Sequence, residues 1–505
     1  MRVEQTPSPL LCRFAKLAAA LTLFVWASAT SLHLIAAEGT RLWLQAEAGY
    51  GDSYILYDVL HFKRTGVIYR DLSQPPYLPA QYGPLVYMMY AIPPENVRSN
   101  PFLGARLVAM MAFLACVAVV ISLVRALVPA QFAWLWGVLL IGSIGLLEQW
   151  PLQLRGDFPA IFFNLSSIRL LFSRSRHCAA LAGLCAGAAL QFKFTYVAAL
   201  LAVLLWLGFQ RRWKDAMRFL AAAAVTSIGV YIVLWFREPG MVSQMLSLAP
   251  GVPDYRGLCK LIVQVVSEPL ILLTLPAIPA LLERGDKRWR LLITFVIVSF
   301  LLQALADVQA GGNINYFFEG LFALVPVAVV GAYQLIEWSQ ERPAFGALLS
   351  AFLLIHLIMP EIRDLYGNRA EFGSRAIDFQ NEEFRRESDV LRGRHVLSFI
   401  PRFALLDAHP AIIEPYLMTY LERLGKFDPA PLLDRIDKRE FDVVLARSGN
   451  ARWRGIPLMP PLFAPIERGY RRECAIRDTV VYLPRDRETD AALVQGLKSF
   501  GCVGQ

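Results

Sequence analysis

Long apolar runs separated by short charged clusters dominate the chain from residue 17 to residue 360. A helix that crosses a bilayer needs about 20 apolar residues, and inside lipid it must satisfy its own backbone. The runs predict eleven spans, over 17–37, 103–124, 130–149, 158–173, 178–192, 194–209, 217–236, 261–282, 291–308, 316–336 and 344–360. Apolarity alone would make 178–209 one long helix. Two short helices joined near Lys193 instead keep every basic cluster on one side. Those clusters are Arg13/Lys16, Arg174/Arg176, Arg211/Arg212/Lys214/Arg218, Arg284/Lys287/Arg288/Arg290 and Arg342, and the excess of Lys and Arg marks the cytoplasmic face.

Past residue 360 the pattern changes to strand-like runs, His395–Ile400 and Phe441–Ala446, around an amphipathic stretch at Tyr416–Leu424. The expected architecture is a polytopic α-helical membrane module over 1–360, with a long outer loop at 38–102, followed by a small extracytoplasmic α/β domain over 361–505. The first apolar run is long and has no convincing cleavage site, so it reads as a retained helix.

Composition agrees with a membrane chain. Hydrophobic residues make up 56% and charged residues 18%, against about 25% charged in soluble domains. This excludes an ordinary soluble enzyme and a disordered chain. The formal charge of +9 is mainly a topology signal, and nucleic acid is a poor explanation for it. Of the seven cysteines, only Cys474 and Cys502 fall in the outer domain, where they can pair or stay as thiols. The other five have no zinc-like spacing. Asn164-Leu-Ser matches a glycosylation triplet but falls inside a span, so it reads as chance.

The polar residues that do not mark topology gather on the outer face. The loop after the first span carries Asp52, Tyr57, Asp58, Tyr69, Arg70, Asp71 and Tyr82 among prolines and aromatics, a composition suited to the membrane interface. Asp52 is either a chemical carboxylate or the cap of a short helix. In the next outer loop, Arg155 and Asp157 precede a span, and Asp157 is either an N-cap or a partner of Asp52. Two such carboxylates would hold a divalent cation, orient a hydroxyl or take its proton. Lys193, between two phenylalanines, suits a lipid-linked phosphate or snorkels to the interface. Asn313, Asn315 and Tyr316 lead into a span, and Glu319 lies about one turn inside it, where an ionisable group marks function by default. Neither a phosphate-binding lysine loop nor a dinucleotide glycine pattern is present.

In order and topology, residues 17–360 resemble the GT-C fold of membrane glycosyltransferases, and in particular bacterial relatives of the protein mannosyltransferases and the lipid A aminoarabinose transferase. The matching pieces are Gly51-Asp52 with Tyr54 and Tyr57, Gly66-Val-Ile-Tyr69-Arg70-Asp71, Tyr82-Gly-Pro-Leu, Arg155-Gly156-Asp157-Phe-Pro, Lys193-Phe-Thr and Asn315-Tyr316-Phe-Phe-Glu319. The resemblance implies transfer of a hexosyl or pentosyl unit from a polyprenyl-phosphate donor to an envelope lipid, glycan or protein. It places the chain in the inner (plasma) membrane with its last domain in the periplasm. It also implies Asp52 and Asp157 as catalytic carboxylates. Lys193 and Arg155 would bind the donor phosphate, and Tyr57, Asp58, Tyr82, Asn313, Asn315, Tyr316 and Glu319 the substrates. Where many relatives have a second acid after the first, this chain has Ser53. A divalent ion, Mg or Mn, would have Asp52 and Asp157 as ligands, and relatives differ in needing one. The rival reading is a transporter or flippase of lipid-linked saccharides, which would need polar residues lining a continuous path at mid-bilayer.

Overall fold

The computed structural model describes residues 9–486, except 50, 96–99, 174, 239, 242–243, 245–252, 284–285, 309–311, 345–346, 349–350, 353–354, 356–380, 383, 387–388, 400–410, 448–451, 454–455 and 477–478, and then residues 491–499. Among these, five helices are long and apolar enough to cross a membrane: Cys12–Arg41, Leu103–Leu127, Trp213–Arg237, Lys287–Asp307 and Ile314–Glu341. The last is 94% buried over its apolar window and forms the centre of the bundle. Its neighbours carry their exposed apolar side chains outward, such as Met111, Val225, Phe236 and Leu305, as lipid-facing surfaces do.

We label the helices in chain order: α1 Pro9–Arg41, α2 Asp52–Thr65, α3 Pro84–Tyr90, α4 Leu103–Leu127, α5 Ala133–Gly142, α6 Asp157–Leu170, α7 Cys178–Phe192, α8 Ala198–Phe209 and α9 Trp213–Arg237. After these come α10 Tyr255–Val266, α11 Pro269–Thr274, α12 Ala277–Glu283, α13 Lys287–Asp307 and α14 Phe318–Glu341. The stretch 178–209 is two helices, α7 and α8, with irregular backbone from Lys193 to Val197. Two other expected spans are not single rods. Over 130–149 the helix stops at Gly142 and a 3-10 turn follows at Gly145–Leu147. Over 261–282 the chain breaks into α10, α11 and α12, because Pro269, Pro276 and Pro279 cannot supply interior helix hydrogen bonds. The Glu268 carboxylate pins the two irregular stretches together by accepting the N–H groups of Gly145 (3.2 Å) and Leu146 (3.1 Å). Most of the expected span 344–360 lies outside the described residues.

α7 packs against α9 through Gly183 and Gly187, one turn apart on α7. A methyl group at Gly183 would lie 2.2 Å from the carbonyl oxygen of Phe219. Small residues at this spacing let two helix backbones approach within the membrane.

Among the described residues, the strands all lie in the C-terminal part. Its main sheet has five strands: β1 Val396–Ser398, β2 Ala411–Ile412, β3 Val443–Arg447, β6 Tyr470–Ile476 and β7 Thr479–Pro484, in the order β2-β1-β3-β7-β6. β1 runs parallel to β2 and β3, and β7 runs antiparallel to β3 and β6. A separate pair joins β4 Arg452–Trp453 to β5 Ile456–Pro457. Alternation puts Val396, Val443 and Leu445 on one face and Leu397, Val444 and Ala446 on the other, and all six are buried. Helices Pro415–Arg423, Ala430–Asp437 and Pro460–Gly469 cover the second face. The expected strands and helix here fall within a few residues of the observed ones. Cys474 is held in a disulfide; Cys502 lies outside the described residues.

The outer loop joins this sheet by its backbone. The Tyr77 N–H donates to the Ile412 carbonyl (2.8 Å), and the Glu414 N–H donates to the Tyr77 carbonyl (3.2 Å). The Tyr77 ring packs edge-on against Phe427. A segment that leads directly to Tyr82 is thereby fastened at the edge of the sheet.

Candidate active site

The site is assembled by three irregular segments on the expected outer side: the loop before α6, the break between α7 and α8, and the short turn before α14. Asp157 is the first residue of α6, so its carboxylate sits at a helix start, but the cap position itself belongs to Gly156. Its Oδ1 accepts three hydrogen bonds, from the Lys193 ammonium (2.9 Å), the Tyr196 hydroxyl (2.8 Å) and the Asn315 side-chain amide (2.8 Å). Oδ2 is buried with no hydrogen-bond partner among the described residues. All four residues are buried, at most 9% exposed. The Lys193 ammonium also lies 3.8 Å from the centre of the Tyr316 ring, close enough for a strong cation–π contact. A lysine so held is neither a snorkelling surface residue nor free to swing.

Arg155 completes this cluster. Its guanidinium rests 4.9 Å over the Trp150 ring, Nε donates to Gln153 Oε1 (2.7 Å), and the side chain is hydrogen-bonded to Tyr82. The Tyr90 hydroxyl fixes the Arg155 backbone from both sides, donating to its carbonyl (2.9 Å) and accepting from its N–H (3.1 Å). Tyr82 is reached from the loop that the sheet edge holds, and the Tyr69 hydroxyl donates to the Tyr82 carbonyl (2.8 Å). The loop comes this close because Gly83 lies directly on the break. Its N–H donates to the Phe192 carbonyl, and a Cβ there would stand 2.0 Å from the carbonyl oxygen of Gln191.

Asp52 is fully buried at the start of α2. It does not cap its own helix. Oδ1 accepts the Leu154 N–H (3.1 Å), and Oδ2 accepts the N–H groups of Ala48 and Gly49 (both 3.2 Å). A carboxylate offers about four acceptor positions, so one remains on Oδ1. Burial raises the Asp52 pKa above its ordinary value, opposed by the nearby charges of Arg106 and Arg155. Arg106, fully buried, bonds the carbonyls of Leu44 and Ala46. Asp52 and Asp157 thus sit at the two ends of one short segment, Leu154–Asp157, with Arg155 between them.

A divalent cation does not fit this arrangement. The oxygens of Asp52 face backbone N–H groups, and Asp157 faces an ammonium and an amide. A cation needs the opposite polarity around it. Among the described residues, no group of three or more His, Cys, Asp or Glu side chains lies together.

The other sequence candidates fall at different depths. Asp58 pairs with Arg70, whose guanidinium also packs over the Tyr57 ring. This is a second, separate buried set on α2 and the outer loop. Asn313 is exposed and its side-chain oxygen accepts the Ile314 N–H (2.8 Å), so it caps the 3-10 turn Ile314–Phe317. Glu319 is 0% exposed and faces protein groups below the cluster: Asn164 (2.5 Å), Ser299 (2.9 Å) and Gln303. A cavity of about 1090 Å³ opens between the outer loop, the end of α9 and the C-terminal part, with Tyr69, Asp71, Arg237, Gly240, Lys426 and Asp428 on its wall. Tyr196, Asn164, Gln303 and Arg106 were not candidates from sequence. Their signal was present, because each is a polar residue within or beside an apolar run.

The Asp58–Arg70 set carries a pH signature. Burial pushes the Asp58 carboxyl up to about 6, against the pull of Arg70, from an unfolded value of about 3.9. The folded chain therefore holds this proton more tightly than the unfolded chain does. The stability it contributes is complete below about pH 4 and is lost as pH rises through about 6. In Asp58→Asn the change in thermal midpoint between pH 4 and pH 7 should be smaller than in the parent, as read by tryptophan fluorescence in detergent. An unchanged difference would contradict this assignment.

No family model matches the chain, and no curated protein matches it by sequence. Solved structures do. The structure of ArnT from Cupriavidus metallidurans bound to undecaprenyl phosphate superposes with a TM-score of 0.61 at 11% identity, covering 94% of this chain and 98% of that one. The same enzyme in its apo state gives 0.60 with the same identity and coverage. The Archaeoglobus fulgidus oligosaccharyltransferase in its apo form gives 0.51 at 10% identity, covering 94% of this chain and 75% of that one. The chain is a multi-pass membrane protein with the GT-C fold that these membrane glycosyltransferases share.

Proposed function

We propose that the chain is a glycosyltransferase that moves a hexosyl or pentosyl unit from a polyprenyl-phosphate carrier to an envelope acceptor on the outer face of the membrane. The observation that carries this reading is the buried Asp157–Lys193–Tyr196–Asn315 cluster with Arg155 beside it, in the fold of an ArnT whose structure holds undecaprenyl phosphate. Two cations fixed against aromatic rings suit a phosphate that gains charge as its bond to the sugar breaks. Lys193 spends one N–H on Asp157, and its other two are for the phosphate.

In this reading an acceptor hydroxyl attacks the anomeric carbon as the bond from that carbon to the phosphate oxygen breaks. The electron pair stays on the phosphate, which Lys193 and Arg155 hold, and configuration inverts. The hydroxyl proton passes to Asp52, whose raised proton affinity suits a base near neutral pH. Asp157 keeps Lys193 in place, and its Oδ2 accepts a substrate hydroxyl. The acceptor comes by way of the cavity beside Tyr69. In the same reading the N-terminus is cytoplasmic, which the one-sided basic clusters support, and residues 361–505 form an outer domain, in the periplasm of a cell with an inner membrane. Transport is the weaker reading, since the polar cluster ends in a buried network around Glu319, with Asn164, Ser299 and Gln303 all 0% exposed.

The test is the Asp52→Asn variant, assayed for sugar transfer after its folding is checked by thermal unfolding. We expect turnover to fall about a hundred-fold or more, the lower end of the range for loss of a general base, with undecaprenyl phosphate still bound. Near-normal turnover would remove Asp52 from the mechanism.

A further inference from the structure

The break between α7 and α8 presents a physical problem that the chain has solved in an informative way. Residues Lys193–Val197 leave the helix within the bundle, and carbonyls freed there need new donors because lipid offers none. Two of them have side-chain donors from other helices. The Asn164 amide on α6 donates to the Tyr196 carbonyl (2.9 Å), and the Gln303 amide on α13 donates to the Thr195 carbonyl (3.2 Å). Both amides are also hydrogen-bonded to one carboxylate, that of Glu319 on α14, through Asn164 at 2.5 Å and through Gln303. Ser299 on α13 donates to its second oxygen (2.9 Å). All four side chains are 0% exposed.

We propose that Glu319 is a positioning residue for Lys193 and not a substrate contact: it orients Asn164 and Gln303, whose amides fix the α7–α8 break and so aim Lys193 and Tyr196 at the reaction centre. The polarity supports this assignment. Each amide has donors to share between the carbonyl and Glu319, whereas an amide or hydroxyl at position 319 would present donors of its own. A single acid at this depth thus turns three helices, α6, α13 and α14, into a frame around the break. The frame lies directly behind Asp157, since Tyr196 gives its carbonyl to Asn164 and its hydroxyl to Asp157. The benefit to catalysis rests on the function proposed above; the clamp on Lys193 does not.

The two parts are therefore tested by different measurements on the full-length chain in lipid nanodiscs. The clamp is read by the rate at which an amine-reactive ester acylates Lys193, quantified by mass spectrometry. Held against Asp157 and Tyr316, Lys193 should react slowly. In Glu319→Ala, and in Asn164→Ala combined with Gln303→Ala, its acylation should rise about ten-fold or more, as local opening of a held segment allows. Glu268→Ala, which removes a buried carboxylate from the distant Gly145–Leu146 contact, controls for general loosening and should leave the Lys193 rate unchanged. A rate that stays at the parent value in Glu319→Ala, or that rises as much in Glu268→Ala, overturns the proposal. Sugar transfer is measured in parallel in a Lys193→Met background. Glu319→Ala should cost transfer heavily in the parent and less than about two-fold in that background, because coupled residues are not additive. Equal losses in both backgrounds would overturn the catalytic part alone. Full transfer by Lys193→Met itself would instead refute the function proposed above, leaving the labelling result to judge the clamp.

Discussion

Lys193→Met should lose about 100- to 1,000-fold in turnover, the range seen when one donor to a developing charge is removed. Lys193 is the cation whose geometry is most tightly fixed, by Asp157 at 2.9 Å and the Tyr316 ring at 3.8 Å. Methionine keeps the length and apolar stem but leaves Asp157 as a buried charge with only neutral hydrogen-bond donors. Breaking a buried pair from one side costs about 3–5 kcal/mol, so the single variant should also unfold more easily. The double variant Lys193→Met/Asp157→Asn removes both charges and should recover much of that stability, since taking away both partners is nearly neutral. Transfer should stay lost in the double variant. The comparison of thermal unfolding with turnover across the two variants separates chemistry from folding. If the double variant recovers transfer, Lys193 is a structural residue only.

Gly83→Val should abolish transfer while leaving the membrane helices folded. The Cβ of any larger residue would stand 2.0 Å from the Gln191 carbonyl oxygen, and backbone at this point cannot move without moving the break. The loop would be pushed off by an ångström or more, taking Tyr82 and its contact with Arg155 away from Lys193. A misplacement of about 1 Å can cost a hundred-fold in rate. Gly83 lies in an outer loop, so the parent's elution profile in detergent and its helical circular dichroism should be retained. Wild-type turnover in this variant would show that the Tyr82 loop need not rest on the break. A milder effect is expected at Gly156, whose added methyl would meet the Phe192 carbonyl oxygen at 2.8 Å.

Much of this arrangement was legible in the sequence because it rests on strong, local signals. Runs of about 20 apolar residues and one-sided basic clusters gave the membrane module. The same charge rule split 178–209 at Lys193, and the helices α7 and α8 part at that residue. Proline explains where reading spans as single rods failed: Pro269, Pro276 and Pro279 cut the expected helix over 261–282 into three.

Within the site, residue type and outer placement picked out Asp157, Lys193, Arg155, Asn315 and Tyr316, which lie together. They did not reveal that Asp52 is tied by three backbone N–H groups or that Asn313 is a turn cap, because both depend on distant backbone. Asn164 was set aside as a chance triplet, yet it links Glu319 to the break. A lone amide in an apolar run is ambiguous until its partners on other helices are known. The acids were visible in sequence, but the ammonium, hydroxyl and N–H groups that face their oxygens were not.

The most direct test of the central claim is mass analysis of envelope lipids and glycans from cells that lack the gene and carry it back as wild type or as Lys193→Met. In the deletion strain one envelope species should be lighter by a single hexose or pentose unit, restored by the wild-type gene and not by the variant. Envelope profiles that are identical in all three strains, or restored equally by both genes, would contradict it.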